Sequence, residues 1–144
     1  MAIQYKAVQQ AILDVSSGQV DAFCDNPPSV LPHVRAGRVR GIAVTTRQRN
    51  PAMPELPTLD EAGIPGFELA TWGGFMFPAR VPREIVLRMN SEINKALTTP
   101  AVKDYFAQVG TTPGGGTPEE FGELIRRKTD KWAKVIKAAG IKPQ

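Results

Sequence analysis

The sequence predicts an α/β fold built from parallel βαβ units. Three observations carry that expectation. Short, nearly continuous apolar runs at residues 20–24 and 41–45 read as strands covered on both faces. A helical segment opened by prolines and stopped by a glycine lies between them, and strand, helix, strand in that order favours a parallel crossover. The 144 residues, 42% hydrophobic and 22% charged, suffice for one ordinary domain or two small lobes with a hydrophobic core.

The elements follow in order. Val8, Ala11, Ile12 and Val15 share one helical face, and Ser16-Ser17-Gly18 stops that helix. After the first strand, Asp25-Asn26-Pro27-Pro28 breaks the chain and opens a second helix to about Ala36, since proline is tolerated in the first turn. The strand at 41–45 follows. Pro51, Pro54, Pro57 and Pro65 then impose a loop with room for one short helical stretch, capped by Thr58 with Glu61 three residues on. Residues 71–77 form a third apolar run, bent at Gly73-Gly74. A long helix at 82–98 carries Ile85, Val86, Met89, Ile93 and Leu97 on one face. A shorter helix is expected at 100–108. Thr117-Pro118-Glu119-Glu120 starts the last one, with Phe121, Leu124, Ile125, Trp132, Val135 and Ile136 inward.

Composition excludes several classes. No apolar run approaches the roughly 18 residues of a membrane-spanning helix. One cysteine, Cys24, and one histidine, His33, cannot build the usual zinc site, and no internal disulfide can form. There is no G-x-S-x-G elbow and no G-K-[ST] phosphate loop. The reading is therefore not an enzyme, with no cofactor and no metal. The net charge of +4 is unevenly placed. No acid falls between Asp25 and Glu55, where five arginines do, and the C-terminal stretch adds six more cations. A solvated basic surface explains this, and the rival class is a basic nucleic-acid-binding or protein-interaction module. Asp25-Asn26 and Thr71-Trp72 stand at strand ends, where an α/β crevice forms. On spacing alone Asp25 reads first as a turn former and Trp72 as a core residue.

The motif string resembles one bacterial family. It runs through Tyr5-Lys6, Ser17-Gly18-Gln19-Val20-Asp21, Asp25-Asn26, and Leu31-Pro32-His33-Val34-Arg35-Ala36-Gly37. It continues in Pro57-Thr58-Leu59-Asp60-Glu61-Ala62-Gly63, Trp72-Gly73-Gly74-Phe75, Gly115-Gly116-Thr117-Pro118-Glu119-Glu120-Phe121 and Trp132-Ala133-Lys134-Val135. The family is the Bug or TctC-like solute receptors of tripartite tricarboxylate transporters, and the resemblance covers only its C-terminal half.

The resemblance implies a partial periplasmic-binding-protein type II fold: residues 1–70 in the second, ligand-binding lobe, 71–77 as crossover, and 78–144 returning to the first lobe. It implies a small organic carboxylate anion as ligand and membrane transporter subunits as partners, with no nucleic acid. By resemblance Tyr5, Lys6, Asp25, Asn26, Thr71 and Trp72 are the ligand-binding residues. Half of a two-walled cleft would be missing, so the chain alone is expected to bind poorly. It would form a homodimer or pair with a missing N-terminal half. The family is periplasmic. Because Met1-Ala2-Ile3-Gln4-Tyr5-Lys6 has no apolar signal core, a chain made as given would stay cytoplasmic. Two departures stand out: Ala7 where the family has Gly after Tyr-Lys, and Val81 where it has a capping Thr, a loss of roughly 1 kcal/mol.

Overall fold

The computed structural model describes residues 3–141. Met1-Ala2 of the N-terminal stretch and the last three positions of the 78–144 segment lie outside them. Among the described residues there are five helices: α1 (Val8–Ser16), α2 (Pro27–Arg35), α3 (Arg83–Thr98), α4 (Pro100–Gln108) and α5 (Pro118–Ala138). The chain divides into two compact units. The first holds the chain up to Trp72 together with Pro100–Pro113, and the second holds Gly73–Thr99 and the residues from Gly114 onward. The division thus falls inside residues 71–77, and α4 groups with the first unit although it lies within 78–144.

All five helices fall within a residue or two of the positions expected, because their ends are written locally. Four of them stop in one way. At α1 the N–H of Gly18 bonds to Val15 O and that of Gln19 to Asp14 O, with Gly18 at φ 77°. Gly37, Gly110 and Gly140 repeat the pattern after α2, α4 and α5. This pair of hydrogen bonds closes the last carbonyls of a helix and needs a left-handed conformation, which glycine adopts without a Cβ clash.

In the first unit, α1 contributes buried Ala11 and Ile12, α2 contributes Leu31, and the proline-rich loop contributes Met53 and Thr58. Gly110, just past α4, packs against α2: a Cβ there would lie 3.0 Å from Pro27 Cβ and 3.3 Å from Leu31 Cδ2. Arg35 Nη1 donates to Gln108 O at 3.2 Å and Asn50 Nδ2 to Gly110 O at 2.8 Å, which explains why α4 belongs here. The loop turn at Thr58 is a reciprocal cap. Glu61 N donates to Thr58 Oγ1 at 3.1 Å and Thr58 N to Glu61 Oε2 at 2.8 Å.

The expected strands are the main difference. Among the described residues no strand is formed. The single pairing is a parallel bridge between Val44 and Thr58, made by Val44 N to Pro57 O and Leu59 N to Val44 O, both 2.9 Å. A strand exists only through a ladder with a neighbour. Residues 20–24 and 71–77 have the composition of strands and no ladder partner among the described residues.

In the second unit α3 packs on α5. Asn90 Nδ2 and Asn94 Nδ2 both donate to Gly116 O, at 2.8 and 2.9 Å, and Gly116 N returns a bond to Asn94 Oδ1 at 3.1 Å. These bonds tie the turn before α5 to α3 and turn Asn90 and Asn94 inward with Val86, Ile93 and Leu97, while Ile85 and Met89 are exposed. The inward face expected from apolar spacing is therefore rotated. Thr117 and Glu120 form the expected capping box at α5. Trp132, Val135 and Ile136, expected inward, are exposed. The N-cap of α3 is Pro82, which has no side-chain capping bond, so Val81, the position at which a capping Thr is expected, stands one residue before it.

Candidate functional site

The six candidate residues all lie in the first unit. Tyr5 and Lys6 precede α1, whose N-cap Ala7 is extended at φ −142°, so its Cβ introduces no backbone strain. Ala7 lines a depression of about 430 Å³ with Tyr5, Lys6, residues of α1 and the segment ending in Phe23 and Cys24. Lys6 is exposed at its edge. Tyr5 Oη donates to Asp14 Oδ2 at 2.8 Å, and Gln10 Nε2 donates to Asp14 Oδ1 at 3.0 Å. The hydrogen bond to the Asp14 carboxylate, then burial, raises the Tyr5 phenol above its ordinary value. With its proton held by Asp14, Tyr5 presents an acceptor oxygen and an aromatic edge rather than a free donor.

Asp25 and Asn26 follow Cys24 directly. Asn26 is the N-cap of α2, and its side chain makes no capping bond. Its Oδ1 instead accepts from Thr71 Oγ1 at 2.8 Å, across 45 residues of sequence. That bond brings the start of the 71–77 run to the opening of α2. Asp25 Oδ2 is buried with no hydrogen-bond partner among the described residues. The position next to the α2 N-terminus favours a carboxylate through the helix dipole. Trp72 is partly exposed beside Thr71. The structure therefore joins Asn26 to Thr71, and Tyr5 to Lys6 around the depression. It adds Asp14, which no local spacing pointed to because its partner is nine residues away in a non-helical segment.

Among the described residues there is no cluster of three or more His, Cys, Asp or Glu able to hold a metal. Two of the five arginines in the acid-free stretch have structural partners: Arg49 pairs with Glu61 at 2.9 Å and Arg35 with the Gln108 carbonyl. The Thr58 backbone N–H, then Arg49, holds the Glu61 carboxyl below its usual range.

A sequence profile described as the tripartite tricarboxylate transporter family receptor, TctC, matches residues 1–141. The chain belongs to this family. Protein BugT of Bordetella pertussis is 35% identical over 97% of the chain, and the match covers 43% of BugT. The adipate-bound R. palustris protein Rpa4515 superimposes with a TM-score of 0.90 at 35% identity, over 100% of this chain and 48% of that one. The periplasmic binding protein BugD gives 0.85 at 30% identity over 99% and 48%. MatC of Rhodopseudomonas palustris, with bound malate, gives 0.77 at 27% identity over 93% and 47%. The TctC chain described here thus spans about half the length of these relatives. Its architecture is part of the periplasmic-binding-protein fold, and the expected α/β class holds at that level despite the missing ladders.

Proposed function

We propose that this TctC-family chain carries one wall of a receptor site for a small organic carboxylate, delivered to membrane transporter subunits from the periplasm. The observation that carries the reading is the Thr71–Asn26 bond, which fastens the start of the apolar 71–77 run to the N-cap of α2. It brings the Thr71 and Asn26 side chains together at the opening of α2, and in this reading Trp72 beside Thr71 and the exposed Lys6 complete the wall. Relatives that hold adipate and malate support carboxylates as the ligand class.

In this reading Lys6 supplies the only side-chain cation of the six residues, and Asn26 and Thr71 supply neutral dipoles. Trp72 lines the apolar stretch between the ligand's carboxylates, and Tyr5 braced by Asp14 shapes the depression. Asp25 stands next to the N-cap of α2 with its Oδ2 buried and unpartnered among the described residues. The two units are parts of the two lobes, joined within 71–77, and lobe closure on the anion completes binding in the whole receptor. The chain alone holds one wall and binds weakly. The compartment of BugD favours the periplasm for this chain too. The reading is a binding protein without catalysis.

The test is a backbone-amide NMR titration of the full chain with adipate and with malate, using acetate as monoanion control. Shifts should concentrate at Tyr5–Ala7, Cys24–Asn26 and Thr71–Gly73, and be weaker with acetate. Lys6→Ala should lower the dicarboxylate affinity about tenfold, the loss of one charge-assisted hydrogen bond. Shifts confined to other segments, or none up to tens of millimolar, would sink the reading.

A further inference from the structure

Three arginines of the first unit have no structural task. Within the acid-free stretch Arg35 bonds to the Gln108 carbonyl and Arg49 to Glu61. The guanidinium groups of Arg38, Arg40 and Arg47 are exposed, with no hydrogen-bond or ion-pair partner among the described residues. The α2 dipole favours a cation in its last turn, which Arg35 supplies, and that influence fades before Arg40.

Arg38 and Arg40 border a second depression, of about 440 Å³, between the turn that ends α2 and the Glu55-Leu56 segment. Its half-buried apolar side chains are Val34, Val39 and Leu56, and its exposed charged ones are Arg38, Arg40 and Glu55. Leu56 is seated on the Gly41 backbone, since a Cβ at Gly41 would lie 2.7 Å from Leu56 Cδ1. Glu55 forms an ion pair with neither arginine. An apolar floor inside a rim of guanidinium groups is the anatomy of a protein interface, where arginine is enriched and rim charge selects the partner. Nucleic acid fits less well, because the depression has no aromatic ring on which a base could stack and carries an acid at its rim. Everything that forms this surface lies within residues 34–56. It also stands apart from the candidate anion site. Asn26 and Thr71 meet at the N-terminal end of α2, and Arg38 follows its C-terminal end, roughly 13 Å of helix further on.

We propose that the depression bordered by Arg38 and Arg40 is a docking surface for an acidic polypeptide segment with an apolar side chain, presented by a membrane transporter subunit. Carboxylates of that segment pair with the two guanidinium groups, and its apolar side chain rests on Leu56. The proposal rests on the delivery step of the proposed function and names the chemistry of the partner.

The test is fluorescence anisotropy of a labelled peptide of repeated Asp-Leu-Glu, standing in for the segment, titrated with the purified full chain. Arg38→Ala combined with Arg40→Ala should weaken binding about tenfold or more. Glu55→Gln should tighten it about twofold by removing a like charge. Lys134→Ala combined with Lys137→Ala, the same loss of charge on α5, should change it by less than about twofold. Because all these positions are exposed, circular dichroism should show the same helix content throughout. No binding up to about 1 mM, or an equal loss from the α5 pair, would overturn the proposal. So would an oligonucleotide of matched charge held more tightly through the same arginines, which would make nucleic acid the occupant. Displacement of the peptide by citrate at constant ionic strength would overturn it too, as the mark of a small-anion site. Lys6→Ala should leave peptide binding unchanged. Peptide binding without dicarboxylate shifts at Tyr5–Ala7 would sink the anion reading alone, and the reverse outcome would sink only this proposal.

Discussion

The two units use helices of similar amphipathic pattern, yet only the first encloses side chains. Ala11, Ile12, Leu31, Met53 and Thr58 all belong to it, and in the second unit no described residue is buried. The difference lies in how many directions the cover comes from. Leu31 is approached by α2's own first turn and by the segment after α4, with Gly110 allowing backbone to close in on it. The second unit packs two helices and the 73–77 run, which can half-bury a stripe and no more. A helix face encloses its side chains only when a third layer arrives.

The largest expected effect tests that contrast directly. Leu31→Ala should destabilise the first unit by about 2–5 kcal/mol, because a side chain only 2% exposed leaves a cavity. Leu124→Ala, at the half-buried part of α5, should cost about half as much or less. Urea denaturation followed by circular dichroism reads both, and equal losses would break the comparison. Amide exchange sharpens it further: α1 and α2 should be better protected than the C-terminal half of α5.

Next come the two capping boxes, one per unit. Thr58→Ala should cost about 1–2 kcal/mol, since Thr58 is buried and its turn anchors the Val44 bridge, and Thr117→Ala about 0.5–1 kcal/mol. If the exposed Thr117 proves the costlier, burial is not what separates the units.

The pH limbs are smaller. Glu61 is lowered by the Thr58 N–H and Arg49, so its contribution is present above the ordinary carboxylate range and is lost as pH falls through its folded value. Glu61→Gln should flatten the acid limb of a stability–pH curve. Tyr5 is raised by Asp14, so its contribution is present below the ordinary phenol range and is lost as pH rises through its folded value. Tyr5→Phe should remove that alkaline loss and leave the acid limb alone. The smallest effect belongs to Arg83 and Glu119, an exposed pair at 2.5 Å whose removal should scarcely move the midpoint of unfolding.

The helices were legible because their signals are local: prolines at first positions, Thr-x-x-Glu boxes at 58 and 117, and glycines that close last turns. The strands at 20–24, 41–45 and 71–77 were legible as composition only, since pairing depends on chain far away in sequence. The orientation of α3 was misread for a related reason. Asn90 and Asn94 look like surface residues until Gly116, more than twenty positions on, offers its backbone. At the candidate site Tyr5 and Lys6 came from resemblance alone, while Asp25-Asn26 and Thr71-Trp72 also stood at expected strand ends. The bonds that connect them, Asn26 with Thr71 and Tyr5 with Asp14, follow no helical or strand spacing, and only the fold reveals them.

The closeness of Gly74 to α5 sets a limit on how this protein can drift. A methyl group there would sit 2.3 Å from the tip of the Phe121 ring, so even the smallest side chain acts as a wedge. The ring would have to swing out, and the peptide lying over the beginning of α5 would lose its seat. Mutations along the outward side of that peptide, where Phe75 is 76% exposed, meet no such obstacle. Adjacent positions thus differ sharply in the freedom they have to vary.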